Sequence, residues 1–248
     1  YEQAVCYGTL CDIASAIVTG APLQLIETVA GRIAEAVLAK LERVEWVRVE
    51  VRKPSAPVPY AVSGTAVAVE QARIHEVAFS LGSNLGEREA VLAAAVDRLS
   101  LVDGLEIADV SSLYDSAPWG GVEQPAFVNI CATGRTTLEP HALLRVCKAI
   151  EADLGRVPGV RWGARAIDID ILYYGVRDVR DRVLTLPHAC LFERAFVLEP
   201  LAEIDPDHVI GGRRVRDALA VLPRSPGDVT RRAPDGTGRW GIKEPEPA

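Results

Sequence analysis

One segment in the second half of the chain constrains the fold most. Residues 166–174 have the pattern of a β-strand of almost continuous apolar residues, interrupted only by Asp168 and Asp170. Because side chains alternate along a strand, these two carboxylates project to the same face, with Cα atoms roughly 6.5–7 Å apart. Buried carboxylates without partners cost several kcal/mol. Any fold of this chain must therefore supply positive charge to that face of the strand.

Two sources of positive charge suit the aspartate pair. Mg²⁺ with substrate phosphates is the natural partner of such carboxylates. Arg161 and Arg165 lie just upstream, where planar guanidinium groups can hold the phosphates. The segment would then be a magnesium–nucleotide site. In the alternative interpretation, the aspartates only form structural salt bridges with the two arginines.

The overall charge and the cysteines narrow the class of protein. The chain has 248 residues and a formal net charge of −7, which argues against nucleic acid as a partner because phosphate binding needs Lys and Arg. No run of about 18 apolar residues indicates a membrane span, and no signal peptide is visible. Five cysteines, an odd number without C-x-x-C spacing, favour a reducing, cytoplasmic location.

Apolar periodicity predicts two units, residues 1–73 and 75–222, with a boundary within 71–76. The first unit has predicted helices over 7–20 and 23–43 and predicted strands over 47–52 and 66–70. From 223 to 248 Pro, Gly and charge dominate, so we expect a flexible tail.

The second unit has the predicted order β-α-β-β-α-β, which is the ferredoxin-like α/β sandwich of the α+β class. Two further helices are predicted after the last strand. The predicted strands cover 77–81, 107–114, 127–134 and 166–174, and the predicted helices cover 87–100, 140–154, 195–203 and 215–222.

Four ordered motifs in this unit resemble a known enzyme family. They are AFSLGSNLG at 78–86, YDSAPWG with QPAFVN at 114–129, RWGARAIDIDIL at 161–172, and LPH with RAFVL at 186–198. They are similar to 6-hydroxymethyl-7,8-dihydropterin pyrophosphokinase, an ATP-binding transferase (2-amino-4-hydroxy-6-hydroxymethyldihydropteridine diphosphokinase) of folate biosynthesis. The resemblance implies a kinase that transfers pyrophosphate from ATP to the reduced pterin and releases AMP.

The resemblance also implies roles for individual residues. Asp168 and Asp170 would be metal ligands, binding two Mg²⁺ ions with ATP. Arg161 and Arg165 would be catalytic residues that contact the phosphates. The remaining implied substrate-binding residues are Ser116, Phe127, Asn129, Glu151, Trp162, His188 and Phe196.

The residue types alone leave a purely structural role open as the alternative for several of these positions. Phe127 and Asn129 are two apart on a predicted strand and share a face, where one can stack on a ring and the other can hydrogen-bond to it. Ordinary core packing is the alternative for Phe127 and Phe196. A structural hydrogen bond is the alternative for His188.

The first unit resembles the C-terminal part of dihydroneopterin aldolase, a lyase. The matching residues are CYG at 6–8, LIE at 25–27, and RKP with PVP within 52–59. The resemblance implies an incomplete tunnel fold, since the family's first two strands have no counterpart here, with Glu27 anchoring a pterin and Tyr7 and Lys53 transferring protons. Two interpretations stay open: a bifunctional gene product with aldolase activity, or a unit that serves only homo-oligomerisation.

A third class of function is a non-enzymatic, ferredoxin-like RNA-binding module. That function requires exposed aromatic residues on a basic sheet. The acidic net charge and the two strand aspartates oppose it.

Overall fold

The structure is a computed structural model that describes residues 5–55, 59–60, 64–118, 124–157, 164–223, 225 and 227–233. The chain divides into two compact units, Tyr1–Ile74 and His75–Ala248. No helix within the described ranges is long and apolar enough to cross a membrane.

The first unit packs two helices on a two-stranded antiparallel sheet. Its core is small and is built around Ile13, Ile33 and Val37. Along the first strand, Val47 and Val49 pack against this core, as the alternating pattern predicts. The elements are α1 (Tyr7–Val18), α2 (Ile26–Lys40), β1 (Trp46–Lys53) and β2 (Thr65–Ala72).

The second helix is shorter than the predicted range 23–43, and a side chain from β2's end explains where it stops. The Arg73 guanidinium donates hydrogen bonds to the carbonyl oxygens of Leu38 (2.5 Å) and Leu41 (2.9 Å). The last carbonyls of a helix have no partner inside it. Arg73 therefore caps α2 at Lys40, a long-range contact that the apolar periodicity does not reveal.

The second unit is a three-layer α/β structure. Its strands are β3 (His75–Ser83), β4 (Leu105–Val110), β5 (Tyr114–Ser116), β6 (Phe127–Thr136), β7 (Asp168–Tyr174), β8 (Val179–Arg180), β9 (Thr185–Leu186), β10 (Val209–Ile210), β11 (Arg213–Arg214) and β12 (Val229–Arg231). Its helices are α3 (Arg88–Ser100), α4 (Pro140–Asp153), α5 (Ala195–Ile204) and α6 (Val215–Val221), with a 3₁₀ turn at Leu191–Glu193.

The main sheet has the order β12-β5-β6-β3-β7, and β4 also pairs with β6. All of its pairings are antiparallel. Leaving out β12, this is the strand order expected of a β-α-β-β-α-β unit, so the predicted ferredoxin-like arrangement is confirmed.

Alternation along the central strands separates two cores. Phe79, Ile130 and Ile169 lie on one face, in a cluster that includes residues of α3 and α4. Cys131 and Leu172 lie on the other face, in a cluster that includes residues of α5 and α6. Since neighbouring residues point to opposite faces, the polar residues next to Ile130 and Ile169 project to the α5 side. The sequence pattern thus fixes which face carries the polar site.

The predicted strand 107–114 is in fact two strands, β4 and β5, separated at residues 111–113. The hydroxyl of Ser111 accepts a hydrogen bond from the Cys131 N–H (2.9 Å). The Ser112 N–H donates to the Glu203 carboxylate (3.0 Å). Because these bonds involve side chains, they interrupt the backbone ladder that β4 and β5 each form with β6.

The expected flexible tail over 223–248 is wrong for its first part. Val229–Arg231 form β12, which pairs with β5, and Arg232 forms ion pairs with Asp115 and Glu89. A three-residue strand is too short to show an alternating pattern. Residues 234–248 lie outside the described part of the chain.

Candidate active site

A cavity of about 250 Å³ lies on the α5 side of the sheet. Strands β3, β5, β6 and β7 contribute to it, together with the segments that precede β6, β7 and α5. Its lining combines aromatic, amide, carboxylate and cationic side chains. The lining residues are Ser80, Gly82, Ser116, Ala117, Gln124, Phe127, Asn129, Lys148, Arg156, Arg165, Asp168, Asp170, Arg194 and Phe196.

The strand register aligns the floor of this cavity. Asn129 of β6 and Asp168 of β7 lie on either side of Gly82 in β3. Asp170 lies opposite Ser80, the next β3 residue on the same face. A Cβ at position 82 would be only 3.0 Å from Asn129 Oδ1. The absence of a side chain at Gly82 therefore keeps the floor open between the amide and the carboxylates.

The β6 end of the cavity carries an oriented amide beside an aromatic ring. Asn129 is buried, and its Nδ2 donates to Ser116 Oγ (2.9 Å) and to the Tyr114 carbonyl oxygen (3.5 Å). Phe127 and Phe196 are half-buried, and both line the cavity. Phe196 also packs against the α5 core. This end thus offers flat apolar surfaces next to a hydrogen-bonding group.

Asp168, at the β7 end, is surrounded by guanidinium groups. Its carboxylate forms ion pairs with Arg156 and with Arg165. Burial alone would raise the pKa of Asp168, but Arg165 and Arg156 outweigh it and hold that pKa below its ordinary value. Arg165 therefore does form the salt bridge that the alternative interpretation predicts, with Arg156 as a second partner.

Asp170 has a different environment. Among the described residues, its Oδ2 lies 3.8 Å from the imidazole Nε2 of His188 and 3.9 Å from the guanidinium Nη1 of Arg194. Burial, and then the charge of Asp168, raise the pKa of Asp170 above its ordinary value. Two carboxylates in one small space are thus only partly neutralised by the side chains around them, which favours binding of a further cation.

Glu151 occupies a buried position behind β7 rather than among the residues that line the cavity. Its Oε1 accepts hydrogen bonds from the Ile169 N–H (2.7 Å) and from Lys148 Nζ (2.8 Å), and it forms an ion pair with Arg156 (2.6 Å). Burial raises the pKa of Glu151, against the effect of Lys148. This carboxylate joins α4 to β7 and holds two cations, Lys148 and Arg156, that do line the cavity.

Asn84, which is not among the predicted site residues, organises two segments that line the cavity. Its Oδ1 accepts the Arg165 N–H (2.8 Å), and its Nδ2 donates to Gln124 Oε1 and the Pro125 carbonyl oxygen (both 3.2 Å). Asn84 is 2% exposed. A buried side chain that satisfies both its donor and its acceptor in this way fixes the segments preceding β6 and β7 relative to β3.

The remaining predicted positions divide into two groups. His188 lies near Asp170 without lining the cavity; its Nδ1 accepts the Cys190 N–H (3.3 Å), and burial lowers its pKa. Arg161 and Trp162 lie outside the described residues. The lining residues that are not among the predicted site residues are Ser80, Gly82, Ala117, Gln124, Lys148, Arg156 and Arg194.

The three aldolase-like residues are all exposed. Tyr7 is the first residue of α1, Glu27 lies in the first turn of α2, and Lys53 ends β1. Within the described part of the unit, no hydrogen bond or ion pair joins any two of them.

A known enzyme family matches the part of the chain that contains this cavity. The family model of 7,8-dihydro-6-hydroxymethylpterin-pyrophosphokinase (HPPK) matches residues 78–206, a range that contains all of the cavity's lining residues in the described part of the chain. The chain belongs to the HPPK family. It is therefore an enzyme, a transferase of folate biosynthesis. Residues 1–70 match the model of dihydroneopterin aldolase, so a partial aldolase domain precedes the HPPK domain.

Among the similar proteins, one is named as a pyrophosphokinase and another as a bifunctional protein. The 2-amino-4-hydroxy-6-hydroxymethyldihydropteridine pyrophosphokinase of Methylorubrum extorquens is 52% identical over 145 residues, which cover 58% of this chain and 92% of that protein. The mitochondrial folate synthesis bifunctional protein of Arabidopsis thaliana is 42% identical over 146 residues, which cover 58% of this chain and 26% of that protein.

A crystal structure of Plasmodium falciparum HPPK-DHPS with pteroate aligns with a TM-score of 0.49 and 14% identity, over 61% of this chain and 43% of that chain. This chain thus spans nearly all of the Methylorubrum enzyme, but only a minor part of the Arabidopsis protein and less than half of the Plasmodium chain.

Proposed function

We propose that the cavity is where this pyrophosphokinase binds ATP and 6-hydroxymethyl-7,8-dihydropterin side by side. The observation that carries the proposal is the register across β6, β3 and β7, which puts the Asn129 amide and the Asp168 and Asp170 carboxylates on one floor. A pterin is a flat ring with amide-like donors and acceptors, which suits stacking on Phe127 and pairing with an amide side chain.

The nucleotide's phosphates would lie at the β7 end. Among the described residues, four cationic ones line the cavity: Lys148, Arg156, Arg165 and Arg194. Guanidinium groups bind phosphate oxygens through two parallel hydrogen bonds. Arg156 and Arg165 already ion-pair with Asp168, so the same two groups are positioned to contact phosphates next to that carboxylate.

We assign Mg²⁺, as two ions bound together with ATP, to Asp168 and Asp170. The donor set fits this metal, because Asp168 and Asp170 both line the cavity and Mg²⁺ uses one or two carboxylates plus waters and substrate phosphates. Bound there, Mg²⁺ would neutralise phosphate charge. Burial first, and then the negative charge of Asp168, raise the pKa of Asp170, and a bound cation would offset the second of these effects.

The chain's own contribution to the reaction is positioning and charge neutralisation. The pterin hydroxymethyl oxygen attacks the β-phosphorus of ATP and AMP leaves, so no side-chain nucleophile is required. Asn129 and the phenylalanines would orient the pterin, while the arginines and Lys148 would orient the phosphates. Holding both reactants in line can supply a large part of the rate enhancement.

Asp170→Asn tests this assignment. We expect kcat to fall by about 100-fold or more and the Mg²⁺ concentration needed for half-maximal rate to rise. Asp153→Asn is the matched control, because Asp153 is a 71% exposed aspartate that pairs with Arg98 and does not line the cavity. If the Asp170→Asn enzyme kept the wild-type rate and the wild-type Mg²⁺ dependence, the assignment of Mg²⁺ to this site would be wrong.

For residues 1–70 we propose self-association, with aldolase activity as the second candidate. Strands β1 and β2 pair only with each other in the described structure, so each presents an unpaired edge, and such edges pair with other chains. Light scattering should then give a multiple of the 26.7 kDa chain mass. A monomer at micromolar concentration would oppose association. Release of 6-hydroxymethyl-7,8-dihydropterin from dihydroneopterin would support the aldolase.

We propose a reducing compartment, the cytoplasm, for this chain. All five cysteines are free thiols, and burial raises the pKa of the Cys131 thiol and raises that of Cys147 to about 12. Unchanged activity with and without reductant in cell extract would fit. Disulfide-bonded protein isolated from cells would contradict it.

A further inference from the structure

The chain after α6 returns to the main sheet and forms its edge. In β12, Val229 lies opposite Ser116, Thr230 opposite Asp115, and Arg231 opposite Tyr114. The partner strand β5 has only three residues. A strand this short with one neighbour frays easily. With β6 on one side and β12 on the other, β5 is held along both edges.

Arg232 adds hydrogen bonds and ion pairs at the end of this segment. Its Nε and Nη2 donate to the two carboxylate oxygens of Asp115 (2.7 and 2.6 Å). Its Nη1 donates to Glu89 at the start of α3, and its backbone N–H donates to the Leu113 carbonyl oxygen (2.9 Å). Bidentate arginine–carboxylate pairs fix geometry as well as charge. Arg232 thus ties β5 to both α3 and its own segment.

Arg231 makes a second set of contacts, on the segment just before β5. Its Nη2 donates to Glu203 (2.6 Å) and to Ser112 Oγ (2.9 Å). The same Glu203 carboxylate accepts the Tyr114 hydroxyl (2.9 Å). The two arginines therefore fix both ends of the segment from Ser112 to Asp115, which leads directly into Ser116.

Ser116 is the link from this edge to the cavity. It is 6% exposed, it lines the cavity, and its hydroxyl accepts the Asn129 amide hydrogen (2.9 Å). If Ser116 were displaced, the Asn129 amide would therefore lose a hydrogen bond that fixes its orientation. Small displacements of positioning groups are costly, since about 1 Å can cost roughly 100-fold in rate.

We propose that residues 229–232 act as a strap that positions Ser116 and Asn129 for the pterin, with Arg232 as the positioning residue. The proposal rests on the pterin-binding role proposed above for Asn129. It assigns a function in substrate recognition to a segment that does not line the cavity.

The test is a double-mutant cycle with Arg232→Gln, Asp115→Asn and the double variant in the full chain. We expect each single change to raise the KM for the pterin by about three- to tenfold while the KM for ATP changes less than twofold. The double variant should be no worse than the larger single effect, because both changes break one interaction. Arg232→Lys, which keeps the charge but loses the bidentate geometry, should fall between wild type and Arg232→Gln.

Controls separate positioning from general stability. Arg98→Gln removes an ion pair with Asp153 on the surface of the same domain and should leave both KM values unchanged. Hydrogen exchange of residues 113–116 should speed up in Arg232→Gln and not in Arg98→Gln. If Arg232→Gln only lowers the unfolding temperature and leaves the pterin KM unchanged, the strap is structural and the proposal is overturned.

Asn129→Ala distinguishes this failure from failure of the proposed function. If Asn129→Ala raises the pterin KM and Arg232→Gln does not, the strap alone is wrong. If Asn129→Ala leaves the pterin KM unchanged, the pterin site itself is wrong, and the strap proposal falls with it.

Discussion

Gly82→Ala perturbs the floor of the cavity by a single methyl group. Its Cβ would lie 3.0 Å from Asn129 Oδ1 and 3.8 Å from Phe127 Cδ1. The first distance is shorter than an ordinary contact, so the amide must move by a few tenths of an ångström. A misplacement of a positioning group by about 1 Å can lower the rate roughly 100-fold. For this smaller movement of the Asn129 amide, we expect the KM for the pterin to rise by about three- to tenfold.

The same substitution should have little effect on folding. Alanine in place of glycine in a strand gains about 0.5–1 kcal/mol, and overpacking costs about 1–3 kcal/mol. The net loss of at most about 2.5 kcal/mol would lower the unfolding midpoint by no more than about 10 °C. Steady-state kinetics with pterin varied at saturating ATP, together with thermal unfolding, measure the two effects separately.

Gly31→Ala is the matched control, since a Cβ there meets no atom within 4 Å. Gly31 lies within α2, where alanine should add about 1 kcal/mol of stability and leave the kinetics unchanged. The reasoning would be refuted if Gly82→Ala bound the pterin with wild-type KM, because the Asn129 amide would then not contact the ring.

Three further predictions follow from other buried or paired groups. Glu151→Gln leaves Lys148 and Arg156 without their shared carboxylate and should lower the free energy of unfolding by about 1–3 kcal/mol, measured by urea denaturation; an unchanged midpoint would contradict this. Asn84→Ala should lower kcat by about 10- to 100-fold with an intact fold by circular dichroism; wild-type kcat would argue against its positioning role. Arg232 lowers the pKa values of Glu89 and Asp115, so their stabilising contribution is present at neutral pH and is lost as pH falls below about 4. Acid titration should therefore destabilise wild type more than Arg232→Gln, and parallel curves would contradict the pairing.

Local patterns predicted the parts of this fold that depend on near neighbours in sequence. Asp168 and Asp170 share a face because they are two apart on a strand, and both line the cavity. The same rule relates Phe127 to Asn129. The order of strands and helices was sufficient for the ferredoxin-like arrangement. Each of these inferences needs only the period of a strand or helix and the order of elements.

The remaining features depend on contacts between distant residues. Arg232 meets Asp115 across 117 positions, and Asn84 meets Arg165 across 81. Neither contact leaves a periodic signal in the sequence. The resemblance implies substrate binding for Glu151, which stays a prediction, while its buried contacts with Lys148 and Arg156 follow only from the packing of α4 against β7. The tail prediction failed for the same reason, since β12 is stabilised by its partners rather than by its composition.

The nucleotide released by the full chain tests the central claim most directly. The protein would be incubated with ATP, Mg²⁺ and 6-hydroxymethyl-7,8-dihydropterin. The nucleotides would be separated by anion-exchange chromatography, and the mass of the pterin product would be measured by mass spectrometry. We expect AMP and the diphosphate ester of the pterin in equal amounts, and no AMP when the pterin is omitted. Release of ADP with a singly phosphorylated pterin, or of AMP regardless of pterin, would contradict it.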